Sequence, residues 1–285
     1  MQIETSTKND RIFPYFLILP AIALILIFKI YPIILNIWTS FQFENTFSID
    51  NYKLIFMDNT FWKSLWITIK FNLILTPLQI IISMGMALLV SRKIKGIGLF
   101  RTIYYLPVTI SITVACIMWN MMLNPKSGVI NSILLQIGVG AQPFFTGNSQ
   151  ALASIMALSS WKGCGYWMMF LMAGIKEIDV SLYDAAQIDG ASYWKTVFYV
   201  IIPVLKKTLA FVLIADTTSN LLLFAPMYMI TKGGPQESTN VLMYEAYKSA
   251  FIYGDQARAA ALMMVLLLIV GAIVALQFRI LKKGD

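Results

Sequence analysis

The chain has 285 residues, 58% of them hydrophobic and only 13% charged, and its mean hydropathy is +0.72. A soluble domain carries about 25% charged residues, so neither a water-soluble globule nor a disordered chain fits. The formal charge of +8 comes without a basic stripe on a soluble domain, which argues against nucleic acid as a partner and for the basic loops of a membrane protein.

A bilayer-spanning helix needs about 20 apolar residues, so this length holds six spans with short loops and no second, soluble domain. Apolar runs fall at about 14–38, 65–90, 102–123, 150–175, 208–230 and 257–279. The first is too long for a signal-peptide core and has no small-residue cleavage site after it, so it is read as a retained span. Lys29 sits near its outer end, within snorkelling reach of the headgroups. Pro77, Pro107 and Pro226 predict kinks inside spans, and Arg258 opens the last span from outside. The expected fold is an all-α polytopic membrane protein, with residues 1–285 as a single transmembrane domain.

Cys116 and Cys164 both lie in apolar stretches and histidine is absent. No disulfide framework, metal site or histidine base is expected from such a set. The sixteen methionines read as adaptable packing. Trp119, Trp161 and Trp167 have faces that could stack on a sugar, although tryptophans near span ends commonly anchor at the interface.

Basic residues set the orientation. Thirteen of the Lys and Arg residues, among them Lys8, Arg11, Arg92, Lys93, Lys176, Lys206, Lys207 and Lys283, fall on one side of the alternating spans, and five fall on the other. The richer side is cytoplasmic, which places both termini inside.

The cytoplasmic connection at about 176–205 is too long and too structured for a simple link. Leu182 to Ala191 reads as a helix ending at Gly190, a residue that tolerates the left-handed conformation of a helix end. A second helical stretch is predicted from Ser192 to Ile202, stopped by Pro203. The small residues Ala185, Ala186, Gly190 and Ala191 would allow close approach of another backbone.

Asp184-Ala185-Ala186-x-x-Asp189-Gly190-Ala191, followed by Phe198, Ile202 and Pro203, resembles the EAA loop of ABC-importer permease subunits, with Asp184 in place of the usual Glu. Further pieces are similar to the sugar-importer branch, in its maltose or glycerol-3-phosphate type first permease. They are Ile30-Tyr31-Pro32, Lys95-Gly96 through Phe100-Arg101, Leu106-Pro107, Gly128-Val129-Ile130-Asn131, Leu182-Tyr183 and Thr231-Lys232-Gly233-Gly234-Pro235 with Thr239. The large periplasmic insertion of the enterobacterial maltose subunit is absent.

The resemblance implies a multi-pass subunit of a bacterial cell membrane that works with a second, homologous permease, two ATPase subunits and an extracytoplasmic sugar-binding protein. It implies that Asp184, Ala185, Ala186, Asp189, Gly190 and Ala191 form the coupling element seated on an ATPase. The chain has no Gly-Lys pair and so no phosphate-binding loop of the GxxxxGK[ST] type. Mg-ATP would bind the partner ATPases, and no cofactor is expected here.

Polar side chains inside spans are costly and point to function. Ser159, Lys162, Gly163 and Tyr166 share one face of span four at i, i+3, i+4 and i+7. Asp216, Ser219 and Asn220 share one face of span five. These seven are the candidate substrate-binding residues, and the resemblance places sugar contacts at the same positions. The opposite reading is helix-to-helix glue. Lys162 and Asp216 could form an ion pair, or Lys162 could meet an acidic sugar while Asp216 accepts hydroxyl bonds. A stand-alone secondary transporter of a small polar solute is the alternative function. The absence of repeat symmetry counts against it, and no convergent catalytic set supports an enzyme.

Overall fold

The computed structural model describes residues 8–44, 46–92 and 94–282. Lys93 and Lys283, which entered the charge count, lie outside the described residues. The chain is almost wholly helical and divides into two compact units, residues 1–58 with 246–265 and residues 59–245 with 266–285.

In the first unit, α1 (Lys8–Ile25) continues through a π-helical turn at Leu26–Ile30 into α2 (Tyr31–Ser40). The π turn has a local cause. The Tyr31 N–H bonds back to the Leu26 carbonyl, five residues away, and Pro32 follows at once. A wider turn before a proline relieves the clash of its ring with the preceding carbonyls. Nearly every side chain from Leu17 to Trp38 is exposed and apolar, the surface a lipid-facing helix presents. A two-stranded antiparallel hairpin, β1 (Gln42–Phe43) and β2 (Thr46–Phe47), pairs Gln42 with Phe47 and leads into α3 (Asp50–Met57). Asn51 ties the hairpin to this helix by donating to the carbonyls of Ser40 (3.1 Å) and Gln42 (2.8 Å). Arg258 pairs with Asp58 inside this unit, so its guanidinium has an intramolecular role.

The second unit is built on α4 (Asn59–Val90), 32 residues long, which matches the second predicted span and runs through Pro77. Spans three and five depart from expectation. The predicted helix at 102–123 is two helices, α5 (Ile97–Thr109) and α6 (Ile112–Met122), meeting at 98°. Pro107 removes a backbone donor in the last turn of α5, Ile110 is extended, and Ser111 restarts the helix by accepting from the Val114 N–H. After α7 (Val129–Gln136) comes α8 (Ala151–Glu177), which coincides with span four.

The connection at 176–205 contains α9 (Val180–Ile188), α10 (Tyr193–Thr196), a π turn at Val197–Ile201 and α11 (Ile202–Val204). Pro203 does not stop this stretch. The π turn before it absorbs the proline as in α1–α2, and the chain bends only at Leu205, by 73°, into α12 (Lys206–Leu221). The predicted span at 208–230 therefore breaks after Leu221 and resumes as a π turn at Met227–Thr231. Two further helices, α13 (Leu242–Phe251) and α14 (Gln256–Lys282), complete the chain. The last covers the apolar run at 257–279.

Three described helices, Leu17–Ser40, Asn59–Val90 and Gln256–Leu281, are long and apolar enough to cross a membrane, and up to five if each bent pair is one span. The 27-residue α8 is long enough but more polar. It is also the centre of the second unit, and more than half of its residues are buried. Two glycines explain how closely it packs. A Cβ on Gly163 would run into the Gln79 amide of α4, and one on Gly165 would run into the Tyr104 carbonyl of α5. Backbone cannot yield as a side-chain end can, so Gly165→Val is expected to cost about 2–3 kcal/mol through overpacking. The thermal midpoint of the detergent-purified protein checks this. Gly271→Ala, where no atom lies within 4 Å, is the neutral control.

The motif segments outside the membrane core are held by their own side chains. Asn131 exchanges hydrogen bonds with the Gln142 backbone (2.9 and 2.8 Å). Thr239 meets the Thr231 hydroxyl at 2.7 Å and donates to the Gly234 carbonyl at 2.8 Å.

Candidate functional site

All seven residues singled out on spans four and five line one cavity of about 380 Å³ in the second unit, a size in the range of small-molecule pockets. Helical spacing brings them together. Ser159, Lys162, Gly163 and Tyr166 descend one face of α8, and Asp216, Ser219 and Asn220 descend one face of α12. The cavity also admits Gln79 and Trp167.

The seven side chains have different fates. Lys162 directs its ammonium to the C-terminal end of α5, donating to Ile110 O at 2.6 Å and to Val108 O and Pro107 O at 3.4 and 3.5 Å. The last carbonyls of a helix have no intrahelical donors, and a cation there meets the negative end of the helix dipole. Among the described residues Lys162 makes no salt bridge with Asp216. In place of the ion pair that the sequence allowed, the geometry is a helix cap.

Asp216 is 1% exposed and accepts the Trp167 indole N–H on Oδ1 at 2.6 Å. Its second oxygen and the Ser159 hydroxyl are buried with no hydrogen-bond partner. Asn220 donates to Gln79 (2.9 Å) and Thr76 (3.0 Å), and Gln79 in turn donates to the Ser159 carbonyl at 3.0 Å. This network is helix glue of the kind common in bundles. Gly163 is a packing position against Gln79. Ser219 is exposed and its hydroxyl turns back to the Ala215 carbonyl. Tyr166 is 42% exposed and stands edge-on to Trp167 and Phe170, with centroids 4.8 and 5.1 Å away. It offers an aromatic face to the cavity. Trp119 and Trp161 pair with each other at 5.8 Å and do not line the cavity.

Sequence reasoning passed over Gln79. The signal was present, because Asn72, Thr76, Gln79 and Ser83 recur at i, i+4, i+7 and i+11, a polar stripe in an apolar helix. All four are buried. Asn72 bonds to the Thr217 carbonyl (2.9 Å) and Ser83 to the Cys164 carbonyl (2.9 Å), so the stripe joins α4 to α12 and α8.

In the connection at 176–205, α9 opens with the Asp179 carboxylate accepting from the Ser181 N–H, which holds Asp179 below the ordinary carboxylate range. It closes as the sequence predicts. Gly190 takes φ +69°, its N–H bonds to Gln187 O at 3.1 Å, and the Ala191 N–H bonds to Ala186 O at 2.9 Å. That pair of bonds is the Schellman motif. Ala186 is buried and Ala191 half-buried, whereas Asp184, Ala185, Asp189 and Gly190 are exposed. Tyr183 packs on the apolar core formed by α4, α8, the π turn and α12, and burial pushes its phenol above the ordinary value. Opposite it, Val180, Asp184 and Ile188 recur at i, i+4 and i+8 on an outward face, with Val180 67% and Ile188 86% exposed. The Arg92 guanidinium lies 5.0 Å from the Tyr193 ring, tying the connection to the end of α4.

Curated relatives cover nearly the whole chain. The sn-glycerol-3-phosphate transport system permease protein UgpA of Agrobacterium fabrum (strain C58 / ATCC 33970) is 32% identical over 96% of this chain and 96% of its own length. The probable ABC transporter permease protein YurN of Bacillus subtilis (strain 168) is 30% identical over 97% and 98%. Among solved structures, the chain matches one from a bacterial ABC transporter involved in the import of the acidic polysaccharide alginate, with a TM-score of 0.87, 22% identity and 95% of each chain covered. A second, from an alginate ABC transporter in complex with an alginate pentasaccharide-bound periplasmic protein, gives a TM-score of 0.86 at 23% identity over 97% and 96%. At that identity the likeness is one of fold. Residues 79–281, which contain the cavity-lining helices and the Schellman-capped connection, match the family described as the binding-protein-dependent transport system inner membrane component. The chain belongs to that family, as a multi-pass membrane permease rather than an enzyme.

Proposed function

We propose that the chain forms half of the pathway by which an ATP-driven, binding-protein-dependent importer carries a carbohydrate, an oligosaccharide, into the cytoplasm. The observation that carries this reading is the single cavity that gathers Ser159, Lys162, Gly163, Tyr166, Asp216, Ser219 and Asn220. It combines an aromatic face with a carboxylate and a hydroxyl, the equipment that recognises a sugar's apolar face and its hydroxyls. Relatives named for glycerol-3-phosphate transport support the same branch.

In this reading the six spans are α1–α2, α4, the bent α5–α6, α8, the broken α12 with its following π turn, and α14, all in one transmembrane domain with both termini cytoplasmic. The connection at 176–205 is the coupling element. Its exposed stripe of Val180, Asp184 and Ile188 is an apolar-and-acidic face of the sort that docks on another protein. Asp184, Ala185, Ala186, Asp189, Gly190 and Ala191 seat it on one of two ATPase subunits, where Mg-ATP is hydrolysed. The closure of those subunits reaches the membrane as rigid-body motion. A second, homologous permease supplies the other half of the pathway, and an extracytoplasmic sugar-binding protein delivers the cargo.

The test is mild-detergent purification of the tagged chain from its host, followed by mass spectrometry and an ATP hydrolysis assay. The expected eluate holds a second permease, an ATPase and a sugar-binding protein. A chain that elutes alone and without ATPase activity, even after crosslinking, would instead indicate a stand-alone secondary transporter.

A further inference from the structure

The cavity on α8 and α12 carries two ionisable side chains that are not equally committed. Lys162 spends its N–H donors on the backbone carbonyls of Pro107, Val108 and Ile110. Asp216 accepts one indole N–H on Oδ1 and leaves Oδ2 without a partner, although it is 1% exposed. Thr76 and Asn220 are hydrogen-bonding neighbours of the same carboxylate, but neither reaches Oδ2 with hydrogen-bond geometry, and Asn220 donates its amide to Thr76 and Gln79. The Ser159 hydroxyl, 8% exposed, is the second orphan on the cavity wall. A buried acceptor left unpaired is costly, and a carboxylate can take hydroxyl donors on each of its oxygens.

We propose that the cargo bound in this cavity is an electrically neutral, hydroxyl-rich glycan, and that Asp216, with Ser159, selects it over uronic-acid and phosphorylated sugars. The proposal rests on the reading of this cavity as the cargo site. An anionic cargo would set its own acceptor oxygens against the uncommitted acceptor oxygen of Asp216 in a water-poor wall, where like-signed charge repels. The ammonium that could offset it is turned away onto the end of α5. A hydroxyl donor satisfies Oδ2 and Ser159 without disturbing either charge, while Tyr166 covers an apolar ring face. This departs from the acidic cargo named for the alginate transporters and from the phosphorylated one named for the glycerol-3-phosphate relatives.

The test uses the whole transporter in its host. A strain lacking this chain is complemented with wild type, Asp216→Asn or Ser159→Ala, and uptake is measured across neutral oligosaccharides, uronic-acid oligosaccharides and sugar phosphates, normalised to the chain present in the membrane. The expected result is chain-dependent uptake confined to neutral members. Asp216→Asn should lower the saturated rate and narrow the neutral-over-anionic preference roughly tenfold, about the effect of losing one charge-assisted hydrogen bond. Ser159→Ala should lower the rate in the same direction. Wild-type uptake of an anionic member that Asp216→Asn alters overturns the neutral assignment and leaves the cargo site standing. Uptake whose rate and selectivity neither variant changes overturns the cargo site itself. If Asp216→Asn fails to accumulate, Ser159→Ala decides the matter, because it removes a hydroxyl that makes no bond.

Discussion

Replacing Gly190 by proline is expected to abolish carbohydrate-dependent growth while leaving the amount of chain in the membrane unchanged. The residue sits at φ +69°, and proline is locked near −65°. The substitution also deletes the N–H that bonds to the Gln187 carbonyl, so the helix Val180–Ile188 can neither end nor turn where it does. The connection between Asp179 and Leu205 would then lose its rigid bend, and rigidity is what a transmitting element needs. Because Gly190 is exposed and a Cβ there would meet nothing within 4 Å, the damage is confined to backbone conformation. Gly190→Ala separates the two effects, since it keeps the N–H and carries only the left-handed strain of roughly 1–2 kcal/mol. It should transport at a reduced rate. Growth assays with membrane immunoblots decide the outcome, and normal uptake by the proline variant would remove the coupling role.

The second large effect is expected at Lys162. Methionine there preserves the apolar stem and removes the ammonium, leaving the carbonyls of Pro107, Val108 and Ile110 without the donor that reaches them at the break between α5 and α6. An unsatisfied buried polar group costs about 1–3 kcal/mol, and a cation is lost from the negative end of a helix. The variant should lower the thermal midpoint of the purified protein by about 2 kcal/mol equivalent or more and cut transport sharply. Lys162→Arg, which keeps charge and donors, should restore most of both. A methionine variant as stable and active as wild type would show that the cap is dispensable.

These two residues illustrate different kinds of legibility. Gly190 could be read directly, because the helix-terminating preference of glycine is local and acts over a few residues. The same holds for the positions of α4 and α14, each announced by an apolar run long enough for a bilayer. The polar faces of α8 and α12 were also visible from helical spacing, and the seven residues do share a cavity. Pro203 was misjudged because a proline stops a helix only in α register, and a π turn upstream absorbs it.

Length, hydropathy and local turn chemistry thus sufficed to establish a helical membrane chain, the course of its unbroken helices and the glycine-capped end of the helix Val180–Ile188. The fate of each intramembrane polar group came from packing. Lys162 caps a helix more than fifty residues away, Gln79 bridges α8 and α12, and Asp216 holds an indole on α8. In a low-dielectric interior every donor and acceptor must find a partner. That partner is chosen by which helices meet and how closely, at contacts such as Gly163 on Gln79 and Gly165 on Tyr104. Spacing along one helix shows which side chains share a face, and only the neighbouring helix determines whether that face becomes glue, a cap or an open acceptor.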